Sequence, residues 1–229
     1  MKSIFITGTD TGIGKTIVCA CLAKFLALKG LNVGIQKWVS TGNENFSEDM
    51  EFCLKMLGKE KEELPNAPFV APYTFGFPYS PHLAAELERK EVDIKKIKES
   101  YYISSETSEV LLVEGVGGTM VPLRKDCLLI DLLKELSLPV LVVTRTKLGT
   151  INHTLLTIEA LRNRKIEILG VIFNSLEPEN DMVVEDNIKI IAQMGGIETF
   201  GPLPKATLEE VFKAFQPIGE RLLKRIKAE

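Results

Sequence analysis

Ser3-Ile-Phe-Ile-Thr-Gly-Thr-Asp-Thr-Gly-Ile-Gly-Lys-Thr16 decides the fold. Ser3–Thr7 is a short apolar run that reads as a strand, and a helical pattern starts at Lys15. The glycine-punctuated turn between them suits a polyphosphate, because backbone N–H groups can wrap an anion where glycines let the main chain come close. Gly12, Ile13 and Gly14 supply that main chain, Lys15 reaches the β- and γ-phosphates, and Ile17 follows in the first helical turn. The Thr16 hydroxyl is placed to join a magnesium ion. Five residues separate Gly8 from Gly14, where the usual loop has four, but the strand–loop–helix context is intact.

Working outward, apolar runs alternate with segments of helical period. Strands are predicted at Ser3–Thr7, Asn32–Lys37, Val110–Glu114, Val140–Arg145, Ile168–Asn174 and Glu198–Gly201. Their consecutive Val, Ile and Leu residues suit strands covered on both faces. Helices are predicted at Lys15–Lys29, Asp49–Leu57, Asp93–Tyr101, Leu128–Leu136, Ile151–Arg164, Asp181–Met194 and Leu208–Lys227. The proline-rich stretch Pro65–Pro81 reads as an irregular loop, long enough to suspect a functional role. This pattern is an α/β fold, a mostly parallel sheet with helices on both faces, forming a single domain over residues 1–229. Glu114 ends an apolar strand and precedes Gly115-Val-Gly-Gly118. An acid at the carboxyl end of a neighbouring strand is where nucleotide enzymes with this loop hold magnesium.

Composition narrows the classes. With 28 Lys and Arg against 31 Asp and Glu, the net charge of −3 gives no basic footprint for nucleic acid. No long uninterrupted apolar stretch suits a membrane span, and the N-terminus does not read as a signal peptide. Cys19, Cys21, Cys53 and Cys127 include no C-x-x-C pair and read as packing thiols in a reducing cytoplasm. His82 and His153 are too separated for a metal site and read as structural hydrogen-bonding residues.

The loop Gly8–Thr16 closely resembles that of the dethiobiotin synthetase family, and further segments match the family in order. Gln36-Lys-Trp-Val-Ser-Thr-Gly42 looks like its Lys-Pro-Val-x-Ser/Thr-Gly segment, with Trp38 where proline is usual. Pro72-Tyr-Thr-Phe and Pro78-Tyr-Ser-Pro-His82 resemble its central loop, and Val113–Gly118 its Glu-Gly-Ala-Gly-Gly run. Lys147-Leu-Gly-Thr-Ile-Asn-His153 is similar almost letter for letter. The resemblance implies a P-loop NTPase fold and an ATP-dependent carboxylation and ring closure of 7,8-diaminononanoate with CO2, through a carbamate and its phosphoric anhydride. It implies Lys15 and Lys37 as catalytic cations, and Thr11 and Thr41 as hydroxyls for the substrate. Magnesium is expected on Thr16, Asp49 and Glu114. Glu48 is a rival to Asp49, and Ser47 or Asp49 also suits a helix cap. ATP is expected to meet Gly115, Val116 and Gly117 beside the loop, with Asn174 and Ser175 reading the base and Pro202 and Pro204 walling it. The substrate carboxylate is expected at the helix start Gly149, Thr150, Ile151 and Asn152, contributed by the neighbouring subunit of a homodimer.

Two other readings compete. Switch ATPases of the MinD and ParA type share the loop but carry a signature lysine where this chain has Asp10. Their membrane-bound relatives would use an amphipathic tail such as Leu208–Lys227, in which Pro217 and Gly219 are expected to break the helix. A cobyrinic acid diamide synthase would bring a glutamine-amidotransferase domain with a catalytic cysteine, and no segment here fits one.

Overall fold

The computed structural model describes residues 3–60 and 67–228. In chain order the described elements are β1 (Ser3–Gly8), α1 (Lys15–Leu28), β2 (Val33–Lys37), β3 (Val39–Thr41), α2 (Glu48–Met56), α3 (Ala67–Val70) and β4 (Tyr73–Phe75). Next come α4 (Pro81–Leu87), α5 (Ile94–Glu106), β5 (Val110–Gly118), β6 (Pro122–Arg124), β7 (Cys127–Leu128), α6 (Leu129–Glu135) and β8 (Val140–Arg145). The chain then runs through α7 (Thr150–Asn163), β9 (Ile168–Asn174), α8 (Asp181–Gly195), β10 (Thr199–Leu203) and α9 (Leu208–Ala228). Among the described residues, six strands form one sheet in the order β10-β9-β8-β1-β5-β2, and every pairing in it is parallel.

Alternation along the strands builds two cores. Ile4 and Ile6 of β1 pack with α1, α2 and α9, whereas Phe5 between them packs with α5, α6 and α7 on the opposite face. Leu112 follows the first pair, and Leu111 and Val113 follow Phe5. That period of two places helices on both sheet faces. Trp38, just past β2, turns inward beside Phe5, with ring centroids 5.1 Å apart, and its Nε1 donates to Gln36 Oε1 at 2.9 Å.

Two local expectations are corrected. Pro65 and Asn66 lie outside the described residues, but from Ala67 onward the supposed irregular loop holds α3, β4 and the proline-initiated start of α4. Elements of three or four residues are too short to show a period. Pro217 and Gly219 do not break α9, which runs from Leu208 to Ala228. A Cβ at Gly219 would sit 2.6–2.8 Å from the Phe25 ring, so the glycine lets α9 lie close against α1. Leu222, Leu223 and Ile226 are buried in that contact. Tertiary packing there outweighs the helix-breaking tendency of both residues.

Candidate active site

The site lies outside the carboxyl ends of β1, β2 and β5, where open parallel sheets collect ligands. Parallel register does the first part of the assembly: Lys37 pairs with Glu114 across β2 and β5, and Gly8 with Gly118 across β1 and β5. The phosphate loop reverses into α1 through Gly12 and Gly14, both at positive φ (67° and 87°). A side chain at Gly14 would fall on Asn174, whose Nδ2 donates to the Ile13 carbonyl at 3.1 Å.

Five side chains converge beside this loop. Lys15 Nζ donates to the Asp10 carbonyl at 2.9 Å. Thr16 Oγ1 lies 2.8 Å from Asp49 Oδ1 and 3.0 Å from Glu114 Oε1. Lys37 Nζ donates to Glu114 Oε1 at 2.9 Å and to Asp49 Oδ2. Burial pulls Lys15 down from 10.5 to about 8, against the opposing attraction of Glu114. Burial also works against the charge on Lys37, but Glu114 and Asp49 outweigh it and hold that ammonium above its ordinary range. Asp49 is half-buried, and Lys37 keeps its carboxyl below the usual value despite that burial. Glu114 is 1% exposed, and burial lifts its carboxyl above the ordinary range against the pull of Lys37. Thr16, Asp49 and Glu114 thus present convergent hydroxyl and carboxylate oxygens, a donor set that fits a hard divalent cation. An ammonium already bridges the two carboxylates, so a cation is what this spot accommodates.

Thr11, Gly12, Thr41, Val116 and Gly117 line the same cleft of about 210 Å³ with these five residues. Ile13 and Ile17 stand differently: Ile13 is fully buried and Ile17 packs against the core, and neither lines the cleft. Gly115 backs onto the Phe5 ring, 2.8 Å from where a Cβ would stand. Ser47 caps α2 through Met50 N at 3.4 Å, Glu48 is exposed, and Asp49 is left to enter the cleft. Trp38, buried in the core, leaves Lys37 free to reach both carboxylates.

Other expected residues stand apart from this cleft. Gly149 and Thr150 line a separate cavity of about 190 Å³ with Asp10 and Arg145. Thr150 Oγ1 is turned inward to Thr144 Oγ1 at 2.8 Å, Ile151 packs against the core, and Asn152 is exposed. Pro202 and Pro204 are exposed on either side of buried Leu203, and Ser175 N donates to the Leu203 carbonyl at 2.9 Å. His82 does not behave as a hydrogen-bonding residue through Nδ1, which is buried without a partner among the described residues. Sequence reasoning missed a cavity of about 350 Å³ that shares Gly12 with the loop and is lined by Thr146, Leu176, Glu177 and Lys205. Their position just past β8, β9 and β10 was the available signal.

A family model described as an AAA domain matches residues 2–210. The ATP-dependent dethiobiotin synthetase of Methanococcus vannielii is 44% identical over 201 residues, covering 86% of this chain and 91% of the relative. That of Thermodesulfovibrio yellowstonii is 40% identical, covering 98% and 96%. The chain belongs to the dethiobiotin synthetase family. This dethiobiotin synthetase family member shares its fold with more distant proteins. A MinC:MinD cell division complex from Aquifex aeolicus superposes with a TM-score of 0.60 at 16% identity, covering 100% of this chain and 97% of that one. A plasmid partition protein from Borrelia burgdorferi gives 0.63 at 11%, covering 98% of each chain. At such identities only the fold is shared. In this family member Asp10 is ion-paired to Arg145 of its own chain at 2.7 Å, and the apolar residues of α9 from Val211 to Ile226 are largely buried in the core that it shares with α1.

Proposed function

We propose that this chain joins CO2 to 7,8-diaminononanoate and closes the ring to dethiobiotin, converting ATP to ADP and phosphate, in the cleft bounded by Lys15, Lys37 and Glu114. The observation that carries the reading is the convergence of two lysines, two carboxylates and a threonine hydroxyl on the phosphate loop of a member of this family.

One substrate amine adds to CO2 and loses a proton, giving a carbamate. A carbamate oxygen attacks the γ-phosphorus as the bond to ADP breaks. The second amine then attacks the carbamoyl carbon, loses a proton and expels phosphate, closing a five-membered cyclic urea. Phosphoryl transfer of this kind is governed by positioning and by charge stabilisation. Lys15 serves the β- and γ-phosphates, and Lys37, held charged by its carboxylate partners, serves the carbamate and the transferring phosphoryl group. Thr11 and Thr41 offer hydroxyls to the reacting amine and carbamate. Thr16, Asp49 and Glu114 would hold magnesium, which supplies neutralisation of phosphate charge when bound. The base is assigned to the cavity beyond Gly12, lined by Leu176 and Lys205; Asn174 and Ser175 directly precede Leu176 in the chain, and Pro202 and Pro204 precede Lys205.

Gly149–Asn152 of a second copy would hold the substrate carboxylate with first-turn N–H groups, making the working unit a homodimer. Two features support this: these residues stand apart from the cleft of their own chain, and Leu148 and Leu156 beside them are 83% and 55% exposed. The place of action is the cytoplasm, in keeping with four free thiols; no described helix is long and apolar enough to cross a membrane.

The test is incubation with MgATP, bicarbonate and 7,8-diaminononanoate, following phosphate release and product mass. Phosphate release that depends on the diamine, with a cyclic urea product, is expected. Release indifferent to the diamine overturns the reading and leaves a bare ATPase.

A further inference from the structure

Glu114 meets different surroundings at its two oxygens. Oε1 takes Lys37 and Thr16, whereas Oε2 is buried and has no hydrogen-bond partner among the described residues. Buried carboxylate oxygens are paired as a rule, so an orphan one calls for a cause. The thiols of Cys19 on α1 and Cys53 on α2 lie beside this carboxylate. One sulfur from each cysteine and one Glu114 oxygen all stand within 4.8 Å of one another, and all three residues are buried. The Cys53 thiol also reaches the Thr16 carbonyl through Sγ at 3.8 Å.

We infer that Cys19, Cys53 and Glu114 form a binding site for one thiophilic divalent cation, of the zinc and cadmium class, behind the nucleotide cleft. Two sulfurs and a carboxylate are a donor set for a borderline-soft ion and a poor one for magnesium. A tetrahedral ion with bonds of about 2.3 Å to sulfur and about 2.1 Å to oxygen holds its ligand atoms about 3.6–3.8 Å apart. The cluster therefore closes with a contraction of about 1.2 Å at most. Each thiol gives up its proton to solvent as its sulfur–metal bond forms. The cysteines are far apart in sequence and come together only because α2 packs on α1. An ion held here draws on the same carboxylate that faces Lys37 and Thr16, so it is an inhibitor of the reaction. That consequence rests on the role proposed for Glu114; binding itself does not.

The experiment is a Cd2+ titration of the whole chain without nucleotide, in a Cys127→Ala background that removes the partly exposed thiol. It is followed by sulfur-to-cadmium charge-transfer absorption in the ultraviolet and by equilibrium dialysis. One ion per chain is expected, with an absorption intensity of two thiolates. Cys19→Ala and Cys53→Ala each remove a direct ligand, so each is expected to weaken binding by more than the ten- to hundredfold typical of outer-shell losses. Cys21→Ala, on the same helix, is expected to leave binding unchanged. Retained basal activity of Cys19→Ala and Cys53→Ala shows that they are folded, and Cys53→Ser replaces either one that is not. No absorption band, or a band that survives in both variants, overturns the site. Chelator-reversible inhibition by Cd2+ in the parent, lost in Cys53→Ala, supports the shared carboxylate. Binding without inhibition keeps the site and overturns the role of Glu114 in the reaction.

Discussion

Lys37 Nζ stands 2.9 Å from Glu114 Oε1, and the same ammonium also reaches Asp49. Removing it leaves a fully buried carboxyl without its hydrogen-bonded cation, with only the attraction of Lys15 in its place, and such a group tends to protonate instead of staying charged. Lys37→Ala therefore loses the charge on the carbamate and the transferring phosphoryl group, and weakens the oxygen set meant for magnesium. Diamine-dependent phosphate release at saturating substrates is expected to fall by about 10²–10³-fold, the range for losing one preorganised charge at a reacting centre. A loss of only a few fold would move that role to another residue.

Lys15 gives a pH signature. Burial brings its ammonium down to about 8, so in the ligand-free chain the charge is lost as pH rises through that value. ATP affinity is expected to be level below about pH 7 and to fall by up to about tenfold per pH unit above about pH 8. Stability moves the other way. The folded value lies below the unfolded one, so the unfolded chain binds more protons between about 8 and 10.5, and this residue makes the fold more stable as pH rises across that window. At pH 7 the buried charge is a net cost. Lys15→Met is therefore expected to gain about 1–3 kcal/mol of stability while losing ATP binding. Denaturant melts and nucleotide titrations of both proteins check the two halves separately.

These effects show how far the sequence could be read. The strand Ser3–Thr7, the glycine loop and the start of α1 were legible because their signals are local: period, turn chemistry and a lysine-threonine pair. Lys37 and Glu114 were each legible as strand-end residues, but their contact depends on β2 pairing with β5 in register, a non-local fact. Asp49 was one of three competing polar residues until Ser47 took the cap and Glu48 faced solvent. Short elements such as β3 and β4 carry no period, and α9 obeys its packing against α1 before the local preferences of Pro217 and Gly219. The approach of Cys19 to Cys53 was invisible for the same reason, since it is made between helices.

Asn174 tests whether loop support and nucleotide binding separate. Its Nδ2 donates to the Ile13 carbonyl, and it occupies the space that a side chain at Gly14 would need. Asn174→Ala leaves that carbonyl without its donor in a buried setting, at a cost of about 1–3 kcal/mol in stability. The KM for ATP is expected to rise with it, because Ile13 and Gly14 carry main-chain donors of the phosphate loop. Gly14→Ala is expected to be worse on both counts, since it combines a collision with a positive φ of 87°. Comparing KM for ATP and GTP in Asn174→Ala separates the two roles: an equal rise marks loop support, and a lost preference marks base reading.

Gly219 tests the placement of α9. A methyl group there would press on the Phe25 ring at 2.6–2.8 Å, in a contact that also buries Leu222, Leu223 and Ile226. Overpacking of this kind costs about 1–3 kcal/mol, so Gly219→Ala is expected to lower the unfolding midpoint. The cleft is formed by other elements, so its KM values are expected to stay as they were. With most of its apolar residues buried in the core beside α1, α9 has little to offer a lipid surface, and the intact chain is expected not to sediment with anionic vesicles, with or without ATP. Vesicle binding that grows in Gly219→Ala would show that α9 can leave α1, and would return the membrane-switch reading to contention.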